Sequence, residues 1–185
     1  MRKRLLKISI SIVTIMCYLL PAQAQDEARL AKSLYDRKDF QKAVLLYEEL
    51  HEKKPENSQF YENYIQCLVN IKEFKTARKT ARKMAKLTGY PLIFMVDEVW
   101  INTLDDPESK ANNKLYRLIL EKSQENITLA LQAADRFQSR DMSEEAIDIL
   151  VQTENIYGSN PRLSNQIALL EMQNGKRLKA LERYL

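Results

Sequence analysis

The chain has 185 residues, 29 of them lysine or arginine and 25 aspartate or glutamate. Four of the basic residues (Arg2, Lys3, Arg4 and Lys7) and none of the acidic ones precede Gln25, which leaves 25 against 25 beyond that point. A balanced remainder carries no net charge with which to argue for nucleic acid as a partner.

The first 24 residues read as an address. A basic start is followed by the apolar run Ile8 to Leu20 and by Ala22-Gln23-Ala24, the A-x-A pattern of a secretory cleavage site. The apolar run is shorter than the ~20 residues a spanning helix needs, so cleavage before Gln25 is expected rather than retention as an anchor. Cys17 is preceded by Ile15 and Met16, a poor match to a lipidation signal. The expected location is therefore beyond an inner membrane, periplasmic or at the cell surface of a diderm bacterium. Cys67 is then the only cysteine, so no intramolecular disulfide is expected even on an oxidising route, and stability must come from packing.

Taken in order, the helical periodicity predicts helices near 26–37, 40–53, 58–70, 74–87 and 91–104. A further one begins at Asp106-Pro107-Glu108, where the residues suggest a cap, a first-position proline and an early carboxylate. Others follow near 127–139 and 143–157, and then from Pro161 and across Leu178 to Tyr184. Asp39 and Asn57 stand where N-caps are expected. No strand-like alternation separates these stretches. Gly89, Gly158 and Gly175, with Pro55, Pro91, Pro107 and Pro161, all fall at predicted breaks.

The helices repeat. Ala43, Ala77, Ala111, Ala146 and Ala180 are spaced 34, 34, 35 and 34 residues apart. Four residues after each stand Tyr47, Ala81, Leu115, Leu150 and Tyr184, and seven after the first four stand Leu50, Met84, Leu118 and Thr153. Small residues let two helix backbones approach, and the larger ones fill the space between neighbouring hairpins.

On Leu30, Ala31, Leu34, Phe40, Ala43, Tyr47, Leu50 and Pro55, and again on Tyr61, Tyr64, Leu68, Phe74, Ala77, Ala81 and Met84, the chain resembles tetratricopeptide (TPR) repeat proteins. It is similar, more loosely, to the N-terminal part of secreted Bacteroidota TPR proteins. Ile65 and Val99 replace the small residue of the first helix, and Ser143 and Arg177 replace Phe40 and Phe74, so repeats three to five follow the pattern less closely. The resemblance implies an all-α, right-handed α-solenoid of about five hairpins, the last truncated. The repeats would lie near 25–57, 58–90, 91–125, 126–160 and 161–185, after a signal peptide at 1–24.

The resemblance also implies a concave surface lined by first helices that binds a peptide or protein segment. The positions it implies are Ala28, Lys32, Tyr35 and Asp36 in repeat one, Glu62, Gln66, Val69 and Asn70 in repeat two, and Leu131, Asp135, Gln138 and Ser139 in repeat four, with Tyr35 as an exposed aromatic. A second feature is a basic strip, Lys75, Arg78, Lys79, Arg82, Lys83 and Lys86, at helical spacing opposite Ala77, Ala81 and Met84. It reads as a solvated outer face or as a surface for an anionic partner such as headgroups, polysaccharide or an acidic protein patch.

Signals for catalysis are missing. His51, the single histidine, is expected as an exposed residue in a Lys- and Glu-rich helix end with no cysteine or second histidine near it, so neither a zinc site nor a His-based relay is expected. Three dispersed glycines cannot form a phosphate loop, and Asp105-Asp106 and Glu144-Glu145 are explained as helix-start carboxylates. Trp100 is expected in the core of repeat three. The expectation is a non-enzymatic exported scaffold without cofactor or metal, binding protein or peptide, not nucleic acid, and touching membrane only at its surface. The alternative is the docking arm of a larger envelope enzyme or transport complex. The stop at Leu185 in mid-helix suggests the N-terminal part of a longer protein.

Overall fold

The computed structural model describes residues 25–89 and 91–183. The expected signal peptide, with Cys17 and the cleavage site, lies outside them. Every regular element among the described residues is helical: α1 (residues 25–36), α2 (Phe40–Lys53), α3 (Ser58–Asn70), α4 (Phe74–Thr88), α5 (Pro91–Asp105), α6 (Lys110–Ser123), α7 (Ile127–Gln138), α8 (Ser143–Tyr157), α9 (Pro161–Gln173) and α10 (Arg177–Glu182). None of these is long and apolar enough to cross a membrane. They form two compact units that divide between Glu73 and Phe74, inside the second expected repeat.

In the first unit, α1 enters α2 through a turn with Lys38 at φ 62°. Asp39 N donates to Leu34 O (2.9 Å) and Lys38 N to Tyr35 O (2.8 Å), which satisfies carbonyls the end of α1 would otherwise leave unpaired. The carboxylate of Asp39 makes no cap bond. It pairs instead with Lys42 at 2.8 Å, which holds its pKa below the usual carboxylate value. Asn57 does cap α3, accepting from the backbone N–H of Gln59 and Phe60. Ala31 and Ala43 are fully buried, and Tyr47, Leu50, Tyr61, Tyr64, Ile65 and Leu68 close the core around them.

His51 is buried in this core, not exposed as its charged neighbours suggest. It lies four residues after Tyr47 on the inward face of α2, with its ring 5.9 Å from that of Tyr61 and 5.8 Å from that of Tyr64. The three-residue spacing of Tyr61 and Tyr64 on α3 builds the aromatic wall that receives it. Tyr64 donates to Glu48 (3.1 Å), and the side-chain amide of Asn63 donates to the Tyr47 hydroxyl (2.8 Å).

The second unit runs from α4 to α10. Its core gathers Val96 and Val99 of α5, Ile119 of α6, Ala130, Ala133, Ala134 and Phe137 of α7, Ala146 and Leu150 of α8, and Leu163, Ile167 and Leu170 of α9. Each fully buried Leu or Ile contributes roughly 1.5–3 kcal/mol relative to exposure. Trp100 is half-buried against this cluster, and the Arg140 guanidinium stacks on it 4.3 Å from the ring centroid.

The α5–α6 connection departs from the expected one. Asp105 ends α5 rather than opening a helix, and α6 starts at Lys110 after Ser109. Asp106 therefore does not cap α6, although its carboxylate accepts from Glu108 N (3.2 Å) within the connecting turn. The register of α6 moves with its start. Ala111 is exposed and Leu118 is 42% exposed, whereas Ile119 and Ser123 are buried. The inward stripe is Asn112, Tyr116 and Ile119, one residue beyond the one the 34-residue period selects. Tyr116 takes the aromatic place that Tyr47 holds in α2, and its hydroxyl donates to Asp148 of α8 at 2.6 Å. Burial first, then that carboxylate, pushes its pKa well above the ordinary tyrosine value.

Candidate functional site

The residues expected on the first-helix surface are distributed over both units. In the first, Lys32 and Asp36 are exposed and paired with each other at 2.9 Å, and the exposed Asn70 donates to the Gln66 carbonyl at 2.8 Å. Ala28, Glu62, Gln66 and Val69 are half-buried. Tyr35 is not the exposed aromatic expected. It is half-buried, edge-on to Phe40 and Tyr47 with centroids at 5.5 and 6.2 Å, so it helps to hold α1 on α2. In the second unit, Asp135 is exposed and Leu131 packs against the core. The half-buried Gln138 donates to Gln173 Oε1 at 2.8 Å, and the exposed Ser139 donates to the Arg136 carbonyl.

The basic strip divides. Arg78 reaches Asp105 of α5 (2.6 Å), and Arg82 pairs with Glu98 of α5, a hydrogen bond that raises the guanidinium pKa further. Lys75, Lys79, Lys83 and Lys86 are exposed. The two arginines are thus packing residues as well as charges, tying α4 to α5.

They also line a wide, open concavity. α5 packs against both α4 and α6. Between those two helices a groove of 710 Å³ lies open above α5, with Arg78 and Arg82 on the α4 wall and Glu98, Asn102 and Asp105 on its floor. Ala111, Leu115 and Leu118 lie on the α6 wall, with Lys114, Arg117 and Glu121 beside them. The spacing of Ala111, Leu115 and Leu118 at i, i+4 and i+7 puts all three on one face of α6. This is the stripe the repeat signature assigns to the core. The one-residue register shift turns Ala111 and Leu118 into the groove instead, while Leu115 stays half-buried between the groove and the core. The sequence does hold the signal, since Asn112, Tyr116 and Ile119 repeat the 4-then-3 spacing of Ala43, Tyr47 and Leu50 with an aromatic at the centre.

The sequence reading also missed the charge cluster behind the groove. Asp97 of α5 is fully buried and accepts from Arg136 (2.8 and 2.6 Å) and from Arg140 Nε (2.9 Å). These contacts fix α5 to α7 and to the turn that follows it. Buried charges persist where each is paired and hydrogen-bonded, and here they stiffen the floor of the groove without reaching it. No group of His, Cys, Asp and Glu among the described residues is arranged to hold a metal. Cys67 is buried in the first unit, where desolvation pushes its thiol up to about 12, the opposite of an activated nucleophile.

The αL turn recurs. Lys38, Lys72, Asp141 and Gly175 adopt φ of 62°, 63°, 59° and 74°. The residue after each donates to the carbonyl five positions earlier: Asp39 to Leu34, Glu73 to Leu68, Met142 to Phe137 and Lys176 to Glu171, at 2.7–3.0 Å. These turns stand 34, 69 and 34 residues apart by subtraction, with the α5–α6 connection as the exception. Ala43, Ala77, Ala146 and Ala180 are all at most 1% exposed.

No protein-family model matches the chain, and no curated protein sequence does. Among solved structures it is similar to a thermophilic TPR protein of Thermus thermophilus, at 16% identity and TM-score 0.47, covering 87% of this chain and 88% of that one. It is also similar to MamA of Desulfovibrio magneticus, at 10% identity and TM-score 0.45, covering 87% and 90%. The recurring turns and buried alanines of the chain itself show a helical repeat.

Proposed function

We propose that this is an exported, non-enzymatic scaffold that holds a segment of another protein. The observation that carries the reading is the open groove between α4 and α6, with an apolar stripe of α6 as one wall and arginines as the other. An amphipathic segment laid into such a groove buries apolar area while rim charges set its orientation. The first-helix positions support the reading less well, since Lys32 is paired with Asp36, Asn70 donates to the Gln66 backbone carbonyl, and Tyr35 is engaged in packing. Export rests on the basic start, apolar run and Ala22-Gln23-Ala24 of the leader. N-terminal sequencing of protein made with its leader in a diderm bacterium should begin at Gln25. Recovery of Met1 would remove the export part of the reading.

The binding part is tested by affinity capture from an envelope fraction with wild type, Leu118→Lys, and a variant carrying Lys32→Ala and Gln66→Ala. Leu118→Lys should lose the captured protein at an unchanged melting temperature, and the first-helix variant should keep it. The reverse pattern would move the binding face to the first helices.

A further inference from the structure

Resting on the segment-binding reading, we infer the chemistry of the occupant: an amphipathic helix with one acidic edge, its apolar face on Ala111, Leu115 and Leu118 and its carboxylates along α4. The α6 wall sets the apolar half. Leu118 is 42% exposed and Ala111 is exposed, although the same helix turns a separate stripe, the half-buried Tyr116 with the buried Ile119 and Ser123, to the core. α6 therefore carries a second apolar stripe that this chain covers only in part: Leu115 is half-buried against the core, and Ala111 and Leu118 are left open. From Ala111 to Glu121 the wall spans about 15 Å, nearly three turns of a docked helix.

Charge sets the other half. α4 holds six basic residues and no acidic one. Arg78 and Arg82 are neutralised by Asp105 and Glu98, but Lys75, Lys79 and Lys86 are exposed and form no ion pair among the described residues. At 100° per residue, these lysines follow Arg82 round the helix, away from the buried Ala77, Ala81 and Met84. The positive surface thus continues outward from the groove rim, where a docked helix would present its flank. The remaining lining charges, Lys114 and Arg117 against Asp106 and Glu121, balance and favour neither sign. A bilayer would reach the lysines but not an apolar stripe recessed between two helices, so a helical segment fits the pair of features better than a headgroup surface does.

The test uses the full chain and synthetic fluorescein-labelled peptides of about 18 residues, long enough to cover the wall as a helix. All share leucines at i, i+4 and i+7, and one flank carries Glu, Gln or Lys. Fluorescence anisotropy should show the Glu peptide binding about tenfold more tightly than the Gln peptide at low salt, with the Lys peptide weakest. High salt should erase the difference. Leu118→Lys should weaken the Glu peptide by at least about tenfold. The combined Lys75→Glu, Lys79→Glu and Lys86→Glu variant should bind the Glu peptide no better than the Gln peptide. All four positions are solvent-facing, and a circular dichroism melt confirms that each variant folds.

Equal binding of the Gln and Glu peptides, still sensitive to Leu118→Lys, overturns the acidic-edge inference while the segment-binding reading stands. Peptide binding indifferent to Leu118→Lys, or no peptide binding, overturns the inference. If capture from the envelope fraction is also indifferent to Leu118→Lys, the segment-binding reading falls with it. Binding to anionic lipid vesicles that the lysine variant loses, without peptide binding, overturns it in favour of a membrane surface. A self-association in sedimentation velocity that Leu118→Lys abolishes overturns it in favour of a second copy.

Discussion

Asp97 of α5 and Arg140, just past α7, are both inaccessible to solvent and lie 2.9 Å apart. Arg136 closes the other side of the same carboxylate at 2.6 Å, and Arg140 stacks on Trp100. Removing the carboxylate would leave two guanidinium groups without their shared counter-ion, one of them fully buried. Asp97→Ala should therefore destabilise the protein by about 3–5 kcal/mol, read as a lower denaturant midpoint. Asp135→Ala, on the exposed face of α7, should change it by no more than about 0.5 kcal/mol. Similar midpoints for the two variants would mean that the buried cluster does not form in solution.

The repeat signature treats Ala111 and Ala146 as equivalent, and the fold does not. Ala146 is fully buried between helices, whereas Ala111 faces the groove. Ala146→Glu should cost several kcal/mol, since an uncompensated carboxylate there has neither partner nor water. Ala111→Glu should leave the thermal melt within a few degrees of wild type. A large loss from Ala111→Glu would restore the α6 register that the 34-residue period selects.

Burial of Cys67 makes a prediction in the alkaline range. Its thiol is raised to about 12 in the folded state, against about 8.5 in an unfolded chain. For an acid whose folded pKa is raised, the stabilising contribution is complete below the unfolded value and is lost as pH climbs from there toward the folded one. The melting temperature should accordingly fall as pH rises above about 8.5, and Cys67→Ala should flatten the fall. At pH 8, iodoacetamide should leave native Cys67 unmodified and alkylate it once denaturant unfolds the chain. Prompt alkylation of the native protein would contradict the burial.

Much of the helical framework was legible in the sequence, because amphipathic spacing and the buried alanines at 43, 77, 146 and 180 are local signals that packing reinforces. The turns were only partly legible. Gly175 announces a left-handed residue, but Lys38, Lys72 and Asp141 hold the same conformation against their own preference, about 1–2 kcal/mol each, because the turn saturates the carbonyls at the end of the preceding helix. The α6 register was missed for a different reason. Ala111, Leu115 and Leu118 satisfy the period in composition, and only the longer α5 and its four-residue connection put Ile119 in the core where Leu118 is expected, with Tyr116 beside Leu115. His51 and Asp97 were illegible because their burial depends on residues remote in sequence: Tyr61 and Tyr64 for one, Arg136 and Arg140 for the other. The groove is a product of that same register shift, so period counting alone hides it.

The most direct measurement is site-specific photo-crosslinking, with a photoreactive phenylalanine analogue placed in turn at Leu118 on the α6 wall and at Gln66 on α3. After irradiation in the envelope fraction, mass spectrometry identifies the residues joined. A scaffold that holds its partner between α4 and α6 predicts adducts from position 118 that map to one amphipathic, acid-flanked segment, and none from position 66. Adducts from position 66 to a defined segment, with position 118 silent, would contradict it.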